Sequence, residues 1–449
     1  MAIIFLVLVF LAWYFYSCRQ KVYAMIIFIF LLTSGFHLIP EEAMMLMTGF
    51  SKGQDYALVL IAGCIAIDFI FSKEKCFKRD GFTSWMFLFL VFLLACILYS
   101  RYVVGCSFAE AIRTCRQYLL VVAYFVFRNM SREDLERLLK IVFVISAVIC
   151  GLYVLQAVLS TEILNSMGSN VIKIGDWVIM RYYNQPHMMY FCAFLAIYSN
   201  LVRGVFRFVC IVIFVLAILL GFNRSGLSFF ILSLVLGYVL RLSKVKQVKF
   251  AFISIAILIP SVVVLGHNFV KSKTYEDIRA VVQGRFADAN IDLYLLYNST
   301  FAYRMGHMFE RISYIEEYPA ARIFGVGLIP EDSPLANQFG FILGLNNQRG
   351  EPSQLESPDI CYSSLFLRFG YLGTALFLSL YVYMACFFFK RKESHYALSS
   401  FIYLILSFGI SFFSSNLNIP VFFILPMITM CLVRKDTENL NSNQPEMKE

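Results

Sequence analysis

Charge is what this sequence has least of. Only 15% of its 449 residues are Asp, Glu, Lys or Arg, 60% are apolar, and the mean hydropathy is +0.72. A soluble domain carries about 25% charged residues, so this balance excludes one and matches a chain that uses the bilayer as its solvent. No Cys-x-x-Cys pair occurs, and none of the twelve cysteines falls between residues 267 and 360. Neither a disulfide framework nor a zinc site is therefore expected. Cys106 and Cys115 can face each other, but small-residue packing is their expected role. Glycine-rich phosphate loops, a Ser-His-Asp arrangement and metal-ligand clusters are also missing. No cofactor and no metal are expected, and there is no internal repeat or low-complexity tract.

What the chain has is long apolar runs. About thirteen are of spanning length: residues 2–17, 22–39, 56–72, 83–100, 112–127, 138–160, 184–200, 207–221, 225–240, 248–266, 361–389, 396–413 and 418–433. Backbone groups cannot stay unpaired in hydrocarbon, and runs of this length fit helices rather than barrel strands. The expected fold is an all-α polytopic membrane protein with about 12 to 14 transmembrane helices and a large late extracytoplasmic loop containing short helices. The first run, from Ile3 to Tyr16, has no basic segment before it and no small-residue cleavage site after it, and reads as a retained span.

Basic residues crowd into alternate loops, as cytoplasmic loops do: Arg19/Lys21, Lys73 to Arg79, Arg128 to Arg137, Arg203/Arg207, Arg241 to Lys249, Lys390 to Lys392 and Arg434/Lys435. The net charge of +9 is thus a topology signal, and nucleic acid is not an expected partner. The amino terminus falls outside and the tail inside. Four parts result: a transmembrane bundle over 1–266, an extracytoplasmic loop domain over 267–360, transmembrane helices over 361–433 and a cytoplasmic tail over 434–449.

Several arginines then fall on the outer face, where the positive-inside rule does not account for them. Arg224, in Asn223-Arg224-Ser225-Gly226, sits in the turn between two apolar runs. Arg181 precedes a span that Asn184-x-Pro186 breaks as it enters the membrane. In the long loop, NSTFAYRMGHMFERISYIEEYP has Phe301, Met305, Met308, Ile312 and Ile315 at helical spacing, N-cap chemistry in Asn298, Ser299 and Thr300, and a stop at Pro319. Arg304, His307 and Arg311 then share one polar stripe, the arginines about 10 Å apart along the axis. The plain alternatives are a solvated helix face and snorkelling to headgroups. Together the guanidinium groups suit phosphate, whose oxygens match their fork. Arg113 and Arg116 open a span near the outer surface, with Glu110 one turn before Arg113 for an i,i+3 ion pair and a headgroup groove as the alternative. Asp68 and Asp80 are expected to be solvated, and His37, His267 and His395 to be structural. Tyr182, Tyr183 and Tyr362 offer rings for sugar stacking.

Four blocks resemble the O-antigen polymerase and ligase superfamily, the Wzy-type polymerases and their ligase relatives. Arg181-Tyr-Tyr-Asn184-Gln-Pro186 is similar to the family's Arg followed by Asn-Pro at a span start. Asn223-Arg224-Ser225-Gly226 is similar to its Ser-Arg-Gly/Ala. Arg304 with its helix, Pro319 and Phe324-Gly325-Val326-Gly327 is similar to its Arg, helix, Pro, Gly-Val-Gly. In DICYSSLFLRFGYLG, Gly370 and Gly373 match the glycines that open the next span. The match covers roughly the last two-thirds of the chain. The ligase branch carries His eleven residues before the first of those glycines, where this chain has Asp359, and the difference favours a polymerase.

The resemblance implies a bacterial inner membrane protein that transfers a glycan from undecaprenyl diphosphate to a hydroxyl of a lipid-linked repeat unit. Its partners would be undecaprenyl-diphosphate-linked oligosaccharide, membrane lipids, and a chain-length regulator and flippase of the same pathway. Arg181 and Arg304 would stabilise the leaving diphosphate, and Asp359 would take the acceptor proton, with Glu356 and His307 as substitutes; the plain alternative is that Asp359 caps its helix or pairs with an arginine. Arg224, Arg311, His307, Asn184, Tyr182 and Tyr362 would bind diphosphate or glycan. Three rivals remain: a ligase acting on a lipid A core, a polyprenyl-phosphate-dependent transferase using Glu41 and Glu42, and a polysaccharide transporter.

Overall fold

The computed structural model describes residues 2–45, 52–71, 79–165, 168–174, 177–183, 185–243, 245–246, 300–341, 343, 355 and 359–442. The expected span 248–266, the first part of the long loop, Asn184, Asn298, Ser299 and Glu356 lie outside the described residues.

Fifteen helices are described. In chain order they are α1 (Ala2–Ser17), α2 (Lys21–Leu32), α3 (Gly53–Phe71), α4 (Gly81–Tyr99), α5 (Phe108–Leu119), α6 (Ala123–Arg128), α7 (Arg132–Leu159), α8 (Met189–Tyr198), α9 (Gly204–Leu220), α10 (Arg224–Arg241), α11 (Thr300–Glu317), α12 (Pro319–Phe324), α13 (Cys361–Phe389), α14 (His395–Ile410) and α15 (Val421–Ser442). Among the described residues, five segments are long and apolar enough to cross a membrane: Gly53–Phe71, Gly81–Val104, Arg132–Leu159, Arg224–Arg241 and Cys361–Phe389. Large apolar side chains face outward along them and along α1, where Ile3, Val7, Phe10 and Tyr14 form one exposed stripe. Such a surface is unfavourable in water and suits lipid. This is the architecture of a helical membrane protein.

The helix starts are written locally. Asp80 and Thr83 form a capping box at α4, Ser107 and Glu110 another at α5, and the Ser131 and Asn223 side chains cap α7 and α10. Each satisfies amide donors that the first helical turn leaves without partners.

Several expectations change. The stretch 161–183 holds an antiparallel hairpin, β1 (Ser169–Ile174) with β2 (Trp177–Tyr182), so the fold is not purely helical. Asp68 and Asp80 are not solvated. Asp68 accepts from Tyr16 Oη at 2.6 Å and Asn129 Nδ2 at 3.1 Å, and Asp80 pairs with Arg434 while accepting from Tyr124 Oη at 2.6 Å. Glu110 turns back onto Ser107, leaving Arg113 to pair with Asp332 at 2.5 Å and Arg116 with Asp55 at 2.5 Å. A capping box uses up the carboxylate that local spacing assigned to Arg113. Cys106 and Cys115 are both buried and free.

Helix α13 is the spine of the site. It packs against α4, α11, α12 and α14, and its helical path breaks at Gly370 (φ 62°, ψ −166°). The glycine expected to open this span instead interrupts it about two and a half turns in.

Candidate functional site

The Gly325-Val326-Gly327 loop seats against the α13 break. Val326 donates its N–H to the Leu367 carbonyl at 2.7 Å. A Cβ on Gly325 would stand 2.1 Å from that carbonyl oxygen, and one on Gly370 would stand 2.6 Å from the carbonyl oxygens of Ala321 and Arg322. Both glycines have positive φ, so each meets a conformational and a steric demand that a side chain would violate. The third and fourth sequence blocks thus form one joint. Below it, Arg368 of α13 is buried and donates to the Ile329 carbonyl at 3.3 Å. Sequence reasoning passed over Arg368, although an arginine inside an apolar helix is a signal in itself.

This joint lays α11 along the start of α13. Arg304 reaches Asp359 at 3.4 Å, and its guanidinium lies 5.8 Å from the Phe413 ring centre. The Asp359 side chain is 53% exposed and that of Arg304 20%, so the pair borders solvent. Asp359 stands just before α13, whose first amide, Cys361 N–H, bonds the carbonyls of Ser411 and Ser414. The turn after α14 therefore fixes both partners: Phe413 lies under Arg304, and Ser411 and Ser414 hold the chain beside Asp359.

One turn further along α11 the stripe goes into the protein. His307 is fully buried, with Nδ1 2.9 Å from Ser363 Oγ. Arg311 is fully buried too, paired with Glu310 and stacked 4.2 Å from the Phe341 ring centre. The helix buries Gly306, His307, Arg311 and Ile315 rather than the expected Met305, Met308 and Ile312. Burial and the nearby Arg311 charge lower the His307 pKa to about 3, so the ring is neutral, and burial lowers Arg311 to about 10. His307 and Arg311 therefore stand behind the surface as packing groups, not as ligand-facing ones. The same correction applies to Tyr182 and Tyr362, whose rings are buried and cannot offer a face to a sugar. Tyr362 bonds the Phe408 carbonyl at 3.0 Å, and the Tyr182 carbonyl accepts from Tyr153 at 2.9 Å.

The first two blocks meet beside the same turn. Gln185 Nε2 donates to the Gly221 carbonyl at 3.1 Å, tying the Arg181 segment to the Arg224 turn. Gln185, His187, Tyr190, Asn223, Asn416 and Phe422 line a cavity of about 50 Å³. Asn416 belongs to the segment that, through Phe413 and Ser414, also borders Arg304 and Asp359. Arg224 is exposed at the first position of α10. Arg181 lies on β2, 5.1 Å from the Tyr183 ring centre, and its buried Nε has no hydrogen-bond partner among the described residues. Among the described residues no hydrogen bond or ion pair joins Arg181 or Arg224 to the Arg304–Asp359 pair. His187, half-buried with its backbone N–H donating 3.1 Å to His37 Nε2, was not singled out from sequence. Gln185 was within reach, inside the Arg-Tyr-Tyr-Asn-Gln-Pro block, whereas Asn416 and Phe413 come from an unremarked turn.

The arrangement can hold an anion. Arg304 presents a guanidinium whose one ion-pair partner among the described residues is half exposed, beside a carboxylate that can accept a proton. Known protein families and characterised proteins were compared with the chain, and none matches it.

Proposed function

We propose that the chain polymerises surface polysaccharide, O-antigen or capsule, on the outer face of a bacterial inner membrane. It would transfer a glycan from undecaprenyl diphosphate to a hydroxyl of a lipid-linked repeat unit. The reading includes 12 to 14 spans, the segment 267–360 outside and the carboxyl tail inside. The observation that carries it is the Arg304–Asp359 pair, at 3.4 Å and bordering solvent. In support, four sequence blocks remote from each other border one turn, residues 410–418.

In the transfer the acceptor oxygen bonds to the anomeric carbon as the bond from that carbon to the diphosphate oxygen breaks. Undecaprenyl diphosphate leaves, and the acceptor proton passes to a carboxylate. Arg304 serves the leaving diphosphate, where negative charge grows in the transition state. The ion pair gives an order to these roles. Diphosphate oxygens displace the Asp359 carboxylate from the guanidinium and so free it to accept the proton. Arg181 and Arg224 supply further positive charge for the diphosphate.

The test is to reconstitute the full chain with its diphosphate-linked repeat unit, add chelator and resolve the lipid-linked products by size. A ladder of multiples supports polymerisation. Transfer only to an added lipid A core would make the protein a ligase, and no product with verified substrate sinks the transfer reading.

A further inference from the structure

The far end of α13, about 40 Å from Asp359 by helix length, carries a second polar site. A cavity of about 540 Å³ opens there between α13, α15 and the end of α6. Arg128, Lys390, Arg391 and Arg434 line it, with Glu438 as the opposing carboxylate. Basic residues are expected in this loop set from topology alone, but an ordinary topology signal leaves its charges in water. Here the side chains of Arg128 and Arg434 are 12% and 11% exposed.

The guanidinium groups are incompletely used. Arg128 spends Nη2 on Glu438 at 2.5 Å, and Arg434 spends Nη1 on Asp80 and Nη2 on Tyr383 at 3.3 Å. Arg128 Nε and Nη1 and Arg434 Nε are buried with no hydrogen-bond partner among the described residues. Leaving charged donors in that state is costly, and an anion with several acceptor oxygens removes the cost. Four cations face one carboxylate, and Asp80 behind them still leaves an excess of two.

The cavity wall also names the rest of the ligand. Cys386 lines it and is exposed. Val382 and Phe389, four positions before and three after, are 50% and 46% exposed. This helical spacing puts the three on one outward apolar stripe that runs up to the basic cavity. We propose that the cavity binds the phosphate of an anionic phospholipid, with an acyl chain lying along Val382, Cys386 and Phe389. A soluble phosphate would satisfy the same donors but would have no use for the stripe. The site rests on the membrane architecture and not on the transfer chemistry.

The full-length protein in detergent is titrated with phosphatidylglycerol, phosphatidylcholine and inorganic phosphate, with bound species followed by native mass spectrometry. Phosphatidylglycerol is expected to be retained over phosphatidylcholine. Arg128→Gln is expected to bind it about fivefold more weakly, the effect of one charge near a lipid surface. Cys386→Trp, which narrows the cavity where its wall meets the apolar stripe and leaves every charge in place, is expected to weaken it also, and covers the case in which Arg128→Gln fails to fold. Arg203→Gln, an exposed arginine of another basic loop, is expected to bind as wild type. Equal retention of the two lipids overturns the proposal, as does an unchanged affinity in Cys386→Trp or an equal loss in Arg203→Gln. Displacement of the lipid by millimolar inorganic phosphate would reassign the site to a soluble anion and overturn the lipid.

Discussion

Val326 donates its N–H to the Leu367 carbonyl at 2.7 Å, a bond that an unbroken helix would not allow. In a continuous α13 that carbonyl would accept from residue 371. The turn at Gly370 releases it, and the Gly325–Gly327 loop takes it up. Position 370 is therefore expected to admit no side chain. Gly370→Ala must hold a Cβ at φ 62° and 2.6 Å from two carbonyl oxygens, which should cost about 2 to 6 kcal/mol by strain and overlap together. Thermal unfolding of purified protein measures it. A variant as stable as wild type would show that the joint does not hold α12 on α13.

The two members of the Arg304–Asp359 pair should fail differently. Arg304→Ala removes charge stabilisation from the leaving group, and a loss of about 10²- to 10³-fold in polymer formation is expected. Arg304→Lys keeps the charge but not the fork and should recover only part of it. Asp359→Asn removes the base and should leave binding of the diphosphate-linked substrate at least as tight, since the guanidinium loses its internal competitor. Single-turnover rates and binding measured on one preparation separate these effects. Weaker substrate binding in Asp359→Asn would contradict the exchange of partners.

His307 makes the packing of α11 sensitive to pH. The folded pKa, about 3, lies below the usual value near 6.5 for an unfolded histidine, so the unfolded chain binds a proton that the folded chain refuses. Stability from this group is full above about pH 6.5 and falls as pH drops towards 3, by at most about 1.4 kcal/mol per unit. Limited proteolysis of the 300–341 segment should accelerate as pH falls through this window. His307→Gln should flatten the dependence, and an unchanged profile would assign it to another group.

Much of the helix placement was legible because length and apolarity mark it: each described apolar run expected to span contains helix. Yet 112–127 is divided between α5 and α6, α2 and α8 cover only part of 22–39 and 184–200, and five described segments are long and apolar enough to cross a membrane. The buried face of α11 was not. Periodicity marked two faces, and hydrophobicity favoured Met305, Met308 and Ile312. The choice was made by Ser363 and Phe341, which give His307 and Arg311 partners from distant sequence. Asp68 and Asp80 looked solvated for the same reason, since Tyr16, Asn129, Tyr124 and Arg434 are remote from them in the chain. Arg304 and Asp359 were legible as candidates, and pairing with an arginine was the plain alternative for Asp359. Which arginine it meets was not legible, because that depends on where the turn after α14 places Phe413 and Ser414 against α11 and the start of α13.

The buried pair Arg116–Asp55 gives a test free of any functional reading. The two groups are 2.5 Å apart with side chains only 9% and 7% exposed, and they join α5 to α3. Ion pairs at this depth gain little over apolar replacements, because both charges lose their hydration, yet breaking one leaves the other uncompensated. Arg116→Met is therefore expected to destabilise by about 3 to 5 kcal/mol. Part of Asp55 remains served, because Lys52 N–H donates to it at 2.9 Å. In Asp55→Asn/Arg116→Met neither charge is buried, so the double variant should be more stable than Arg116→Met alone. A four-way comparison of thermal unfolding gives the coupling directly. Additive losses in the double variant would mean that the two side chains act independently and that apolar packing alone holds α5 on α3.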